Sequence, residues 1–196
     1  MQVPEVVYHG TDNVFDTFSF DKIGRNGMAE GVGFYFTDSL QTAQGYGKNI
    51  LKCHIELNKP ITADTKKLTP NQIGRIINEA TKIESEMYGS DLKDTFLSNC
   101  VDTYSNPWKY CIDRAVGMIY SKSKSNVEML NELAFIAGNE VTNRAIIKAT
   151  GYDGIISTAP EREETYYIVF TPEQITVLDR NIYEELNTIL EGYING

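Results

Sequence analysis

The sequence predicts an α+β protein in which a helical insertion interrupts a β-rich core. Residues 1–61 are rich in short β-like runs, apolar residues recur at helical spacing through 62–150, and β-like runs return from residue 151. We therefore expect a core made of residues 1–61 and 151–180, a helical insertion over 62–150 and a C-terminal helix over 181–194. A chain of 196 residues is suited to one domain with such an insertion.

Short β-like runs in the first β-rich half predict three strands, over residues 6–9, 33–36 and 50–57. The last of these runs reads ILKCHIEL, and its apolar residues alternate as they do on a half-buried strand. After the second strand, Asp38 and Ser39 are suited to cap a short helix that runs towards Tyr46.

The spacing of apolar residues in the insertion predicts four or five helices. Thr69 followed by Pro70 is typical of an N-cap and a first helical position, and apolar residues then recur with the period of a helix. The same spacing returns in three later segments, 111–119, 127–137 and 141–149. In the second β-rich half, turn residues and apolar runs predict strands over 151–156, 166–170 and 175–178.

Composition and charge exclude several function classes. The chain has 18 Lys and Arg against 27 Asp and Glu, a formal net charge of −9. Because binding to nucleic-acid phosphates or to an anionic membrane needs clustered basic residues, both are disfavoured. There is no apolar run long enough to span a membrane, and no signal-peptide pattern at the start. Three cysteines without CxxC spacing indicate neither a disulfide scaffold nor a zinc site, so we expect a soluble protein of a reducing cytoplasm.

His9 is the first candidate site residue. It ends the first predicted strand and is followed by Gly10 and Thr11. A glycine after a strand allows a ligand to approach the backbone closely, and the histidine ring offers two nitrogens. The alternative is a histidine that caps the turn. The other histidine, His54, lies on the polar side of an alternating strand and is expected at the surface.

An aromatic pair is the second candidate. Tyr35 lies on the second predicted strand, and Tyr46 follows eleven residues later, after the short helix. Two such rings can face each other and hold a flat ligand ring between them by stacking. The alternative is that both rings belong to the core. The glycines before the strand do not form the GxGxxG pattern of a phosphate-binding loop.

An acidic run precedes the strongest predicted strand. Glu161, Glu163 and Glu164 come shortly before Tyr166 and the apolar residues that follow it. This arrangement can present a carboxylate at the edge of a cleft, and the alternative is a solvated acidic loop. The sequence has no Ser-His-Asp order and no HExxH, EF-hand or P-loop spacing, so it indicates no metal site.

Taken together, these three stretches resemble the ADP-ribosyltransferase superfamily, in the branch shared by diphtheria toxin and the poly(ADP-ribose) polymerases. YHGT at 8–11 matches the first motif of that branch, and GFYFTD at 33–38, with Ala43 and Tyr46, matches the second. The YIVF run and the EQI that follows it resemble the third motif. GYDGII and NKPI are similar to segments of the transferase domains in phage and mobile-element polyvalent proteins. The resemblance covers the two β-rich halves and implies a split antiparallel β-sheet.

The resemblance implies NAD as the substrate and a role for each matching residue. His9 would hydrogen-bond the adenosine ribose, the Gly10 backbone would bind the nicotinamide amide, and Thr11 would support the ribose side. Tyr35 and Tyr46 would lie on either side of the nicotinamide ring. A carboxylate near the nicotinamide–ribose bond would stabilise the oxocarbenium-like charge that develops as this bond breaks.

The third motif departs from the family at one position. Tyr166 stands where the family has its catalytic glutamate, and Glu164 lies two residues earlier, on the same side of a regular strand and ~6–7 Å further along. A bulge or a local slip could bring Glu164 into place. We therefore predict His9, Tyr35 and Glu164 as catalytic residues. Ala43 and Tyr166 complete the predicted NAD-binding set, which contains no metal.

The resemblance implies a mono-ADP-ribosyltransferase that moves ADP-ribose from NAD to a macromolecule and releases nicotinamide, as a toxin or effector of a phage or mobile element. We expect a protein acceptor, because the net charge disfavours nucleic acid. Family members without the glutamate are typically limited to mono-ADP-ribosylation or are inactive. Two alternatives are a module that binds NAD or ADP-ribose without turnover and an NAD glycohydrolase toxin. The insertion is either a substrate-docking element or a structural brace.

Overall fold

The structure is a computed structural model, and it describes residues 3–23, 31–89, 92–94, 107–159 and 164–180. The strands are β1 (Val7–Thr11), β2 (Phe34–Thr37), β3 (Asn49–Ile55), β4 (Pro60–Ile61), β5 (Gly154–Ala159), β6 (Glu164–Val169) and β7 (Ile175–Asp179). The α-helices with described bounds are α1 (Leu40–Gln44), α2 (Pro70–Tyr88), α3 (Pro107–Lys122), α4 (Asn126–Ala137) and α5 (Asn139–Thr150). Short 3-10 helices cover Phe20–Lys22 and Pro172–Gln174.

This order of elements confirms the predicted α+β class, with helices between two β-rich parts. Strand β4 was not predicted, because two residues cannot show an alternation and Pro60 is typical of a turn. The C-terminal helix predicted over 181–194 lies outside the described residues. Cys53 is free and buried, whereas Cys111 is disulfide-bonded, a bond that the cysteine spacing did not indicate. In the part of the chain that the structure describes, no helix is both long and apolar enough to cross a membrane.

The strands form one sheet in the order β4-β5-β6-β2-β1-β3-β7. The β4–β5 pair is parallel and the other neighbouring pairs are antiparallel. β1 pairs with β3 from Val7 to Thr11, yet it pairs with β2 only through Tyr8 and Thr37. Beyond that pair β1 and β2 diverge, so the sheet is split where His9 and the two residues after it lie. This is the split antiparallel sheet that the sequence resemblance implies.

Apolar side chains cover both faces of the sheet. On the helical face, α2 to α5 pack on the sheet around a core that includes Ile76, Met129, Ile146 and Ile168. On the loop face, the segment before β2 packs on a second core that includes Val7, Phe34, Phe36 and Val169. Alternation along a strand decides which core a residue joins, since successive side chains point to opposite faces. On β6, Tyr166 therefore lies on the helical face and Tyr167 on the loop face.

Polar contacts of two asparagines position the helices of the insertion. Asn143 on α5 donates from Nδ2 to the carbonyl oxygen of Phe170, at 3.0 Å, and so joins α5 to the residue that follows β6. Asn126, at the start of α4, accepts from the Leu68 backbone N–H at 2.7 Å and donates to the Thr65 carbonyl oxygen, which joins α4 to the segment before α2. Both roles expected for the insertion, a structural brace and a substrate-docking element, stay predictions.

The first helix of the insertion begins where the sequence predicts it. The Thr69 side chain accepts from the Gln72 backbone N–H at 3.3 Å, and Gln72 Oε1 accepts from the Thr69 backbone N–H at 2.9 Å. This capping box satisfies backbone donors at the helix start that have no partner inside the helix. The helix ends at Gly89, whose φ of 63° lies in the left-handed region that glycine adopts easily.

We expect Thr69→Ala to lower the free energy of unfolding by about 1 kcal/mol, because it removes half of the capping box. Urea denaturation followed by circular dichroism measures the loss. Thr81→Ala is the matched control, since Thr81 lies inside the same helix, where alanine is the better helix former. Equal losses in the two variants would contradict the role given to the cap.

Candidate active site

The predicted site residues lie on three neighbouring strands and in the segment that joins β2 to β3. β1 provides His9, Gly10 and Thr11, β2 provides Tyr35, and β6 provides Glu164 and Tyr166. Ala43 lies in α1 and Tyr46 follows it. The order β6-β2-β1 in the sheet places all three motifs side by side.

His9 is held in one orientation. Its Nδ1 lies 2.7 Å from the carbonyl oxygen of Tyr35 on the neighbouring strand. Since a carbonyl only accepts, Nδ1 carries the hydrogen and Nε2 is the acceptor of the neutral ring. The ring packs edge-on against Phe18, at a centroid distance of 5.1 Å, and lies 5.6 Å from Phe36. His9 therefore bonds across the split sheet instead of capping its own turn.

The surroundings of His9 also decide its charge. Loss of solvent around the ring lowers the pKa of His9 from its usual value of 6.5, and the hydrogen bond to the Tyr35 backbone opposes this only in part. The ring is therefore neutral at pH 7. A neutral ring with Nδ1–H presents a lone pair at Nε2, which can accept a hydrogen bond from a hydroxyl group.

Gly10 is the point where α1 contacts β1. A Cβ atom on Gly10 would lie 1.8 Å from the carbonyl oxygen of Ala43, so any side chain there would push α1 away. Gly47 is packed in the same way, with a Cβ position 2.1 Å from the carbonyl carbon of Thr11. Thr11 is itself buried and accepts from the backbone N–H of Asn13 at 3.1 Å. The two glycines thus allow α1 to rest directly on the end of β1.

The two tyrosines of the predicted aromatic pair differ in environment. The Tyr35 hydroxyl donates to the carbonyl oxygen of Gly31 at 2.5 Å, and the half-buried ring packs against the helical-face core. The Tyr46 side chain is 51% exposed. Tyr46 is therefore not a core residue, which leaves its ring accessible to a ligand. That the two rings enclose a ligand stays a prediction.

A chain of hydrogen bonds joins Tyr46 to Glu164. The Tyr46 hydroxyl donates to the Tyr166 hydroxyl at 3.2 Å, and the Tyr166 hydroxyl donates to Glu164 Oε2 at 2.6 Å. The two tyrosine rings are nearly perpendicular, at 85°, with centroids 6.5 Å apart. Burial first, and then the bond to Glu164, raises the pKa of Tyr166 far above its usual value of 10. Its hydroxyl therefore stays protonated and remains a donor.

The Glu164 side chain contacts α1 from a regular strand, so the β-bulge that the sequence allowed is not needed. β6 pairs with β5 residue by residue from Val169 to Glu164, so this stretch of strand is regular. The pairing with β2 stops at Tyr166, which lies opposite Thr37, so it does not reach Glu164 two residues further along the strand. Beyond the end of β2 the chain turns into α1, and Thr42 Oγ1 donates to Glu164 Oε1 at 3.3 Å.

Thr42 and the pair of Asp38 with Tyr167 were missed by sequence reasoning. Thr42 lies in the short helix before Tyr46, but no pattern in the sequence links it to Glu164, 122 residues away. The Tyr167 hydroxyl donates to Asp38 Oδ2 at 3.2 Å on the opposite face of the sheet. Both contacts attach β6 to the start of α1, and no sequence pattern signals either of them.

A cavity of about 430 Å³ lies where the insertion meets β5. Its lining includes Lys67 and Lys124 from the insertion and Ser157, which is paired with Tyr166 across the sheet. None of the predicted site residues lines this cavity. Over the described ranges, no group of three His, Cys, Asp or Glu side chains is placed to hold a metal ion.

We expect NMR to show His9 as the Nδ1–H tautomer with a pKa below 6.5. The unfolded chain then takes up a proton on this residue more readily than the folded protein, so stability should decrease as the pH falls below about 6.5. His9→Gln should remove this part of the pH dependence, and the exposed His54→Gln should leave it in place. A neutral His9 protonated on Nε2 would contradict the assignment.

Gly10→Ala is expected to lower the free energy of unfolding by about 1–3 kcal/mol, because the added carbon overlaps backbone atoms that cannot move alone. Gly117→Ala is the control: it lies inside α3 with no atom within 4 Å of the Cβ position, and alanine there should stabilise the helix. Thermal unfolding compares the two variants. If Gly10→Ala were as stable as the unaltered protein, the close packing of α1 on β1 would be wrong.

Comparison with known proteins identifies the family. The family model described as ADP-ribosyltransferase in polyvalent proteins matches residues 3–184, which include both β-rich parts and the insertion. Among solved structures, the crystal structure of an anti-CRISPR protein is similar at 14% sequence identity and a TM-score of 0.33, covering 89% of this chain and 93% of that chain. No curated protein matches the chain. The family match agrees with the split, mostly antiparallel sheet, and the chain therefore belongs to the family of ADP-ribosyltransferases in polyvalent proteins.

Proposed function

We propose that the protein is a mono-ADP-ribosyltransferase that transfers ADP-ribose from NAD to a protein acceptor and releases nicotinamide. Enzymes of the family use NAD as a substrate. The observation that supports this function most strongly is the hydrogen-bonded chain from the exposed ring of Tyr46 through Tyr166 to Glu164. It brings a carboxylate and an accessible aromatic ring together where the α1 region contacts β6. We further propose that the protein acts in the cytoplasm of a host, as the effector of a phage or mobile element.

Three features around the split support NAD binding. His9 is neutral and offers Nε2 as an acceptor for a ribose hydroxyl. Tyr46 is half exposed and offers a ring face to nicotinamide, with Tyr35 as the proposed second ring. The ends of β1 and β2 diverge, and we propose that the Gly10 backbone there binds the nicotinamide amide beside Thr11. Ala43 and Tyr166 complete the proposed binding set.

Glu164 would supply the negative charge that the reaction needs. The bond between the nicotinamide nitrogen and ribose C1′ breaks, its electron pair goes to nicotinamide, and positive charge develops on the ribose. A fixed carboxylate beside that charge stabilises the transition state more than the ground state. A nucleophilic atom of the acceptor then bonds to C1′ and loses its proton to the carboxylate, which returns it to solvent. One ADP-ribose unit is transferred in each reaction.

The position of Tyr166 favours a second candidate function, a module that binds NAD or ADP-ribose without turnover. Tyr166 occupies the place of the family's glutamate, and both carboxylate oxygens of Glu164 already accept hydrogen bonds within the protein. In a third candidate, an NAD glycohydrolase, water replaces the protein acceptor. These functions differ in which products are released.

Incubation with radiolabelled NAD and a cell lysate tests the proposal. We expect labelled protein and free nicotinamide with the unaltered chain, and a loss of both by about 100- to 1,000-fold in Glu164→Gln, because the stabilising charge is removed. His9→Ala and Tyr35→Ala should also abolish labelling. Glu56→Gln is the matched control, since this glutamate is exposed and lies beyond the end of β3; it should label normally.

The products separate the three functions. Nicotinamide release without labelled protein indicates the glycohydrolase, and NAD binding by calorimetry without nicotinamide release indicates the binding module. If the chain neither binds NAD nor releases nicotinamide, the proposed function is wrong. If Glu164→Gln still labels protein at the rate of the unaltered chain, Glu164 has no role in the reaction.

A further inference from the structure

The carboxylate of Glu164 is held from two sides. Glu164 begins β6 opposite Ala159 of β5, two residues past the last pair that β6 makes with β2. Its Oε2 accepts from the Tyr166 hydroxyl at 2.6 Å, and its Oε1 accepts from the Thr42 hydroxyl at 3.3 Å. The first distance is typical of a strong, charge-assisted O–H···O⁻ bond, and the second of a weaker one.

Tyr166 can donate in one direction only. A tyrosine hydroxyl has a single hydrogen, and the bond from Tyr46 fills an acceptor site on the Tyr166 oxygen. The hydrogen of Tyr166 is therefore directed at Glu164. The ring is buried in the helical-face core, so the donor cannot swing away.

The position of Thr42 is also fixed by contacts within the protein. Its backbone N–H donates to the Ser39 side chain at 3.1 Å, which caps the start of α1. The next residue, Ala43, is packed directly against Gly10, so the helix cannot move closer to β1. A β-branched side chain such as threonine also has few rotamers on a helix. The position of its hydroxyl is therefore set by α1.

We propose that Thr42 and Tyr166 are positioning residues that fix the orientation of the Glu164 carboxylate, so that a glutamate two residues from the family's usual position serves the same reaction. This inference rests on the proposed function. Tyr166 holds Oε2 and Thr42 holds Oε1. Tyr166 occupies the place of the family's glutamate and acts through Glu164.

Hydroxyl deletions test this assignment. Tyr166→Phe and Thr42→Val keep the size of each side chain and remove its hydroxyl. We expect kcat for nicotinamide release to fall by about 10- to 100-fold in Tyr166→Phe, and less in Thr42→Val because its bond is longer, with KM for NAD changed by less than about threefold. Thr42→Ser, which restores the hydroxyl, should recover most of the rate.

The split between kcat and KM separates positioning from a structural effect, because a disturbed binding surface raises KM for NAD whereas a misoriented carboxylate lowers kcat. Tyr167→Phe is the matched control: it removes a hydroxyl from the next residue of the strand, on the opposite face. Its kcat should stay within about twofold of that of the unaltered chain. An unchanged kcat in Tyr166→Phe would overturn the proposal.

Crystal structures of the variants give a readout that does not need turnover. In Tyr166→Phe and Thr42→Val the Glu164 carboxylate should leave its position or lose its order, and in Tyr167→Phe it should not. If the carboxylate moves as expected but the unaltered chain releases no nicotinamide, the proposed function fails while the positioning contacts stand. If the carboxylate stays in place in both variants, the positioning role is wrong, whatever the activity. If Tyr166→Phe does not fold, the position of the Glu164 carboxylate in Thr42→Val tests the proposal.

Discussion

The contact between the Gly10 backbone and the carbonyl oxygen of Ala43 decides where the parts of the candidate site can lie. Because no side chain intervenes, α1 rests directly on the end of β1, and Gly47 continues the contact just after the helix. Thr42 and Tyr46, before and after Ala43, are thereby placed next to the start of β6. The hydrogen bonds to Glu164 and Tyr166 depend on this placement, since each has one partner in the α1 region and the other on β6.

The split between β1 and β2 gives the site its second constraint. β1 and β2 share one residue pair, and beyond that pair the His9 side chain bonds to the Tyr35 carbonyl oxygen of the neighbouring strand. The same bond fixes the tautomer of His9, while loss of solvent keeps the ring neutral. His9 packs among phenylalanines of the loop face, whereas Tyr166 lies in the helical-face core. The site is thus assembled from both faces of one sheet.

Much of the fold could be predicted because its signals are local. The capping box at Thr69, the helical spacing of the insertion and the alternation in β3 each extend over a few residues, and the structure contains these elements. Strand β4 was missed because two residues have no period. Thr42 was missed because its contact with Glu164 spans 122 residues of chain. The motif spacing placed His9, Tyr35 and Tyr46 in one region, but it could not say which atoms would bond.

By itself the sequence determined the α+β class, the helical insertion and the family, because periodicity, capping and motif order are properties of neighbouring residues. It also determined that Glu164 and Tyr166 share one side of a strand, since alternation is a local rule. Only the tertiary structure decided that Tyr166 donates to Glu164, that Thr42 completes the pair, and that His9 bonds to β2. The bonds of Thr42 and His9 join segments far apart in the chain, and the direction of the Tyr166 hydroxyl depends on its bond from Tyr46, 120 residues away. Their geometry is set by how closely α1 packs on β1, and no local pattern encodes that distance.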